Sequence, residues 1–310
     1  MRQEDPTPRE VKLPGRDGDR TLTYEVAGDP DGAPVFYLHG MPGSSSGPRP
    51  RNAVLNRHGV KLVSYDRPGY GRSSRRPGRS VADAVDDVEF LADHLRIGTF
   101  TIMGRSGGGP HALACAALLP HRVLRAAVLV SFAPADADDL DWFSNMAGSN
   151  IDAYQEASFD QRRLTETLRV RANRVKQDPA HLLDLLRAEA TAADARIIDD
   201  FFLRSLLLRT YQAAVIHGPY GWIDDVLALR QDWGFRPEDI KVPVRLWHGA
   251  DDQFAPPSHT EWLAARIPDA KLEVQPGAAH FGALSVVPRL LEWLIAAQPR
   301  VEAADATLSH

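Results

Sequence analysis

Very little in this chain points to a specialised class, and each thing it is short of excludes something. It has one cysteine in 310 residues, Cys115, so no internal disulfide can brace it. Cys115 lies in an apolar helical stretch, where a small buried core residue is the expected role. No apolar run approaches the about 20 residues that a membrane-spanning helix needs. The charged, proline-containing first ten residues hold no signal-peptide core. A basic excess is also missing: 36 Lys and Arg stand against 41 Asp and Glu, a net charge of −5. No basic block of the kind that tracks a phosphate backbone stands out. Internal repeats and low-complexity tracts are lacking too. The expectation is a soluble, cytoplasmic protein whose partner is a small molecule, without nucleic acid or membrane insertion. The oligomeric state stays open.

What the chain does have is 44% apolar residues, enough for one large core or two modest ones. Residues 11–13 and 21–26 alternate apolar with polar around Gly15, Arg16, Asp17 and Gly18, which predicts an antiparallel hairpin at a sheet edge. Continuous apolar runs at 35–38, 61–65, 100–103 and 126–130 have the shape of strands buried on both faces. A helical pattern at 81–95, with Val85, Val88, Leu91 and Leu95 in phase, separates two of them. This alternation predicts a mostly parallel sheet flanked by helices. From 136 to 239 no strand is convincing. Amphipathic helical stretches run there instead, at 159–176, 179–190 and 195–217. Strands resume at 242–247 and 271–274, with helices at 258–267 and 286–297. The expected organisation is a discontinuous α/β core, residues 1–135 and 240–310, interrupted by an all-helical cap at 136–239. The polar tail from 299 is expected to be loose.

The sharpest motif follows the run at 100–103: Gly104-Arg105-Ser106-Gly107-Gly108-Gly109, then Pro110 and an Ala/Leu-rich helix. Glycines two residues before and two after the serine permit a strand-to-helix corner too sharp for side chains. Such a corner lifts the Ser106 hydroxyl clear of the sheet. The Gly107 N–H joins the unpaired donors of the helix's first turn, where an oxyanion could be met. A serine that merely caps the helix is the competing explanation, so the rest of a catalytic set must be sought elsewhere. In a parallel sheet it gathers where strands end. After 35–38 comes His39-Gly40-Met41-Pro42-Gly43, able to offer the Met41 N–H. After 242–247 comes His248-Gly249-Ala250-Asp251-Asp252, and after 271–274 comes Gln275-Pro276-Gly277-Ala278-Ala279-His280. Serine, acid, histidine is the order of one hydrolase class.

With these motifs, together with Asp66-Arg67-Pro68-Gly69-Tyr70-Gly71-Arg72-Ser73, the chain resembles α/β-hydrolase-fold serine hydrolases with a helical cap, from about residue 11 to 297. The resemblance implies an eight-stranded, mainly parallel sheet with an antiparallel second strand and the cap inserted after the sixth. It makes Ser106 the nucleophile, His280 the base, and the Met41 and Gly107 N–H groups the oxyanion hole. It selects Asp252 over the adjacent Asp251 as the acid. The 66–73 loop is structural in the family. The implied chemistry is an acyl-enzyme mechanism that uses no metal or cofactor.

The remaining candidates have duller readings. His39, His111 and His248 are expected to be packed and hydrogen-bonded. His94, His121 and His181 fall in helical or surface patterns without metal-ligand spacing. Arg162, Arg163, Arg169, Arg171, Arg174 and Lys176 form a basic helix whose default is a solvated face. Trp142, Phe143, Phe201, Phe202, Tyr220, Trp222 and Phe254 can wall a substrate pocket, though packing explains aromatics equally well. Hydrolysis of a carboxylic ester or related acyl compound leads. Serine at the elbow argues against the aspartate chemistry of dehalogenases and epoxide hydrolases in this fold. An iminopeptidase-like or other acyl hydrolase on the same triad is the first alternative, although such relatives typically have HGGPG where this chain has Met41. A ligand receptor of the same fold is the second.

Overall fold

The computed structural model describes residues 7–14 and 18–296. Gly15, Arg16 and Asp17 of the expected hairpin turn, Ala297 and the tail from 299 therefore lie outside the described residues.

Eight strands form one sheet. In chain order they are β1 (Arg9–Leu13), β2 (Arg20–Gly28), β3 (Ala33–Leu38), β4 (Val60–Tyr65), β5 (Phe100–Arg105), β6 (Val123–Leu129), β7 (Val244–Gly249) and β8 (Ala270–Gln275). Their spatial order is β1-β2-β4-β3-β5-β6-β7-β8. β2 runs antiparallel to both neighbours, with Val11 opposite Leu22 and Val26 opposite Val63, and every other pairing is parallel. The continuous apolar runs are explained by the two faces. Phe36, Leu38, Ile102, Val128 and Leu246 point to one core, against α2 (Ala84–His94) and α3 (Gly109–Leu118). Val35, Tyr37, Met103, Ala127, Leu129 and Trp247 point to the other, against Leu55 of α1 (Asn52–Arg57) and the apolar face of α11 (Ala283–Ile295). β8, at the edge, alternates half-buried with exposed residues.

Between β6 and β7 the α-helices are α4 (Gly148–Phe159), α5 (Gln161–Gln177), α6 (Ala180–Glu189), α7 (Ala192–Ile198), α8 (Phe201–Ala214) and α9 (Tyr220–Leu229). Helix α10 (Ser258–Arg266) follows β7. Apolar residues of this insert, such as Leu164, Leu183, Leu207 and Ile223, join the α2/α3 core. Two sequence expectations need correction. The stretch 195–217 is two helices, because Asp200 turns its carboxylate onto the Leu203 N–H (2.9 Å) and starts a new one. Likewise Phe159 ends α4, and Asp160 caps α5 through the Arg163 N–H (3.0 Å). On α5 the burial stripe is Leu164, Leu168, Ala172 and Val175, and all the basic residues except the half-buried Arg171 are exposed.

Candidate active site

The site grows from the end of β5, in the middle of the sheet. A single 3-10 turn, Ser106–Gly108, links β5 to α3. Ser106 has φ +54°, in the left-handed region that costs a side-chain-bearing residue about 1 kcal/mol or more. The neighbours that hold it there explain the glycines. A Cβ on Gly104 would overlap the Gly108 carbonyl and stand 2.8 Å from the Ala112 Cβ. A Cβ on Gly108 would overlap the Leu38 and His39 carbonyl oxygens. The helix can thus lie against β5 and β3 only where side chains are missing. A Cβ on Gly107 would stand 2.7 Å from the Met41 Cβ and 3.6 Å from its nitrogen, so the elbow and the loop after β3 abut. The Ser106 carbonyl accepts from Ser131 Oγ at 3.4 Å.

His280 begins a 3-10 turn after β8, and its Nδ1 lies 2.8 Å from Asp252 Oδ2, in the loop after β7. Asp251, by contrast, is exposed. Asp252 is 2% exposed, and its other oxygen accepts the N–H groups of Phe254 (2.8 Å) and Ala255 (3.0 Å). His248 Nε2 stands 3.1 Å from Asp252 Oδ2, and its Nδ1 lies 2.8 Å from Thr260 Oγ1. Burial opposes ionisation of Asp252. The nearby His280 and the hydrogen bonds from both histidines outweigh it and hold the carboxyl well below the ordinary carboxylate range. Among the described residues, no hydrogen bond joins the Ser106 hydroxyl to His280.

Two carboxylates that the sequence reading passed over tie the helical insert to this edge. Asp194 of α7, 1% exposed, accepts the backbone N–H groups of His280 (3.1 Å) and Phe281 (2.7 Å). Its burial raises its pKa above the ordinary value, and the proximity of His280 and the two N–H groups only partly offset this. Asp225 of α9 gathers Arg67 (2.5 Å), Arg79 (2.5 Å), Tyr70 (2.8 Å) and His111 (3.3 Å). Burial works against its charge, but Arg67 and Arg79 dominate and drive its pKa well below the usual range. Arg67 also donates to the carbonyls of His39 and Gly40, the latter at 3.1 Å, while its N–H reaches His39 Nε2 at 3.2 Å. The 66–73 loop is therefore the bracket between the loop after β3 and the insert. His39, His111 and His248 are fully buried and hydrogen-bonded, as read from the sequence. A signal for Asp225 existed: Asp224 and Asp225 interrupt an otherwise apolar helix, and buried carboxylates need partners. Asp194, between alanines, carried none.

The aromatic candidates separate by place. The Phe254 ring stands 5.7 Å from the His280 ring. Trp142 packs on Phe132, Tyr154 and His259 and donates to the Ala133 and Pro134 carbonyls, with Phe143 against it. Tyr220 is 46% exposed beneath the Arg75 guanidinium, and Trp222 is buried. Phe201 is exposed, and Phe202 stacks with Arg51.

A strained serine at the end of a central parallel strand and a histidine–aspartate pair at neighbouring strand exits define a hydrolase scaffold. The family model described as alpha/beta hydrolase fold matches residues 33–285, and the chain belongs to that family. It is 28% identical over 283 residues to a non-heme chloroperoxidase from Streptomyces lividans, covering 87% of this chain and 92% of that one. It is 33% identical over 141 residues to a proline iminopeptidase from Arabidopsis thaliana. That match takes in 44% of this chain and 37% of the iminopeptidase, well short of its full length. Among solved structures, a thermophilic esterase from Thermogutta terrifontis superposes with a TM-score of 0.67 at 21% identity, covering 94% of this chain and all of that one. No helix among the described residues is long and apolar enough to cross a membrane.

Proposed function

We propose that this protein is a serine hydrolase that cleaves a carboxylic ester or related acyl compound, with Ser106 as nucleophile, His280 as base and Asp252 as acid. The observation that carries this reading is the 2.8 Å hydrogen bond between His280 Nδ1 and a buried, ionised Asp252, at the sheet edge where Ser106 is held in its strained turn. With Nδ1–H committed to the carboxylate, Nε2 is the free base. It takes the Ser106 proton as the hydroxyl oxygen bonds to the acyl carbon, and returns it to the departing alcohol. Water, activated by the same nitrogen, then releases the acid. The Met41 and Gly107 N–H groups form the oxyanion hole, each worth about 3 kcal/mol in such sites. The insert acts as a cap over the site, and Phe254 lines the pocket beside His280.

A fluorophosphonate label tests the reading. Covalent labelling of the native protein that vanishes in Ser106→Ala is expected, together with turnover of p-nitrophenyl esters. Folded protein that takes no label would overturn it in favour of a ligand receptor. Turnover of aminoacyl anilides in place of esters would favour the iminopeptidase-like alternative. A second acceptor is favoured by the similarity to the chloroperoxidase along almost its full length. Hydrogen peroxide can take the place of water in deacylation and leave as a peracid. Peracid formation in acetate and peroxide, lost in Ser106→Ala, tests that branch.

A further inference from the structure

Three arginines are buried among the described residues: Arg67, Arg79 and Arg105. The first two share Asp225. Arg105, 5% exposed, has no carboxylate within ion-pair distance among the described residues. Its Nε is shielded from water and has no partner. Its Nη2 reaches the His280 carbonyl at 3.5 Å, the outer limit of a hydrogen bond, and its guanidinium carbon stands 5.3 Å from the Phe281 ring centre. A carbonyl at that range and an aromatic face do not compensate a full charge removed from water. Elsewhere this molecule answers the same problem with a carboxylate.

The unpaired cation also sits at the chemistry. Both Arg105 Nη1 and Ser106 Cβ lie 3.5 Å from the point where a Cβ on Gly40 would stand, so they are at most twice that distance apart. The group is bounded by the elbow, the loop after β3 and the His280–Phe281 turn. Its charge is also felt on the insert. Tyr211 of α8, whose pKa burial lifts to about 12, is pulled down by the charge of Arg105 and pushed up by that of Asp194.

We infer that Arg105 is a substrate-binding residue that pairs with a carboxylate carried by the substrate within a few atoms of the scissile carbonyl. The inference rests on the acyl-hydrolase reading and narrows it to esters or lactones that bear a free carboxylate. The Nε has no acceptor and the parallel Nη2 only the long contact to the His280 carbonyl, so an incoming carboxylate can take both donors as the substrate seats on Ser106.

Matched esters followed by proton release test this: methyl pentanoate as the neutral reference, monomethyl succinate with the charge on the acyl side, and acetoxyacetate with it on the alcohol side. One of the charged esters should be preferred by the native enzyme. Arg105→Gln should lower the ratio of its kcat/KM to that of the neutral ester by about 10- to 100-fold, and Arg105→Lys should recover part of the ratio. A residue that only steadies the His280 carbonyl would lower all three rates together and leave the ratio unchanged, which would overturn the inference. Should Arg105→Gln fail to fold, inhibition of the native enzyme decides. Succinate should compete with the neutral ester at a concentration at least tenfold below that of butyrate, and equal potency would sink the idea. Calorimetric titration of Ser106→Ala with succinate separates this from the broader reading. Succinate binding to Ser106→Ala that is lost in the Arg105→Gln, Ser106→Ala double variant, with a native protein that turns over no ester, would refute the esterase and keep the anion site. Ester turnover with no binding of succinate and no charge preference would do the reverse.

Discussion

Asp194, carried by the helical insert, accepts the backbone N–H of His280 at 3.1 Å and that of Phe281 at 2.7 Å. The proposed base is thus oriented from two sides. Asp252 holds its ring, and a carboxylate from a distant helix holds its main chain. Asn at position 194 offers one oxygen where two N–H donors point. It also removes a buried charge that burial already disfavours. Asp194→Asn should therefore lower kcat/KM by about tenfold or more while shifting the thermal midpoint little. An equal loss of midpoint and activity would reduce Asp194 to a docking contact.

The hydrogen bond that His280 Nδ1–H donates to Asp252 predicts an asymmetry between neighbours. Asp252→Asn should cost about four orders of magnitude in kcat, as in other triads where the imidazole loses its fixed tautomer. The exposed Asp251 should tolerate the same change with near-native kinetics. Steady-state rates of the two variants on one ester check this, and a larger loss in Asp251→Asn would transfer the acid role.

Asp225 neutralises Arg67 and Arg79 in the interior. Asp225→Asn leaves both cations uncompensated and should destabilise the fold by about 3–5 kcal/mol, read as a lowered urea midpoint. The sign with pH follows from its depressed pKa. The stabilisation is complete above the ordinary carboxylate range, near pH 4, and is lost as pH falls through the lower folded value. The deficit of Asp225→Asn relative to the native protein should stay constant from pH 8 to 5.

His259 predicts an earlier acid effect. Its Nδ1 accepts the Ala133 N–H at 3.1 Å and its Nε2 donates to the Trp142 carbonyl at 3.0 Å. A second ring proton would meet the Ala133 N–H head-on. Burial, with smaller contributions from neighbouring charges, lowers its pKa from 6.5 to about 4. Between those values the unfolded chain binds a proton that the folded state refuses, so stability falls as pH drops from 6.5 to 4. His39, lowered by burial and by Arg67, adds to the same slope. Urea midpoints from pH 7 to 4.5 should decline in the native protein and less steeply in His259→Gln. Identical slopes would remove His259 from the account.

Local rules placed most of the scaffold. Strands β3, β4, β5 and β6 were legible because both faces are buried, which writes an unbroken apolar run. The elbow was legible because only glycine permits α3 to approach two strands at Gly104 and Gly108. Ser106, the pair Asp251 and Asp252, and His280 stood out as candidates because a parallel sheet collects its strand exits at one edge, and only the family resemblance singled out Asp252. The break at Asp199-Asp200 was obscured because helical periodicity continued across it.

The amino-acid order by itself thus determined the individual strands, the turn at Ser106 and the residues available at the strand exits, since each depends on neighbours a few positions apart. Only the tertiary structure decided that Asp194 grips the His280 turn, that Asp225 rather than any nearer acid neutralises Arg67 and Arg79, and that Arg105 has no carboxylate of its own among the described residues. These depend on where the helical insert folds back onto the core. Charge pairing in an interior acts between chain segments far apart in sequence, and no local pattern encodes which distant side chain will arrive.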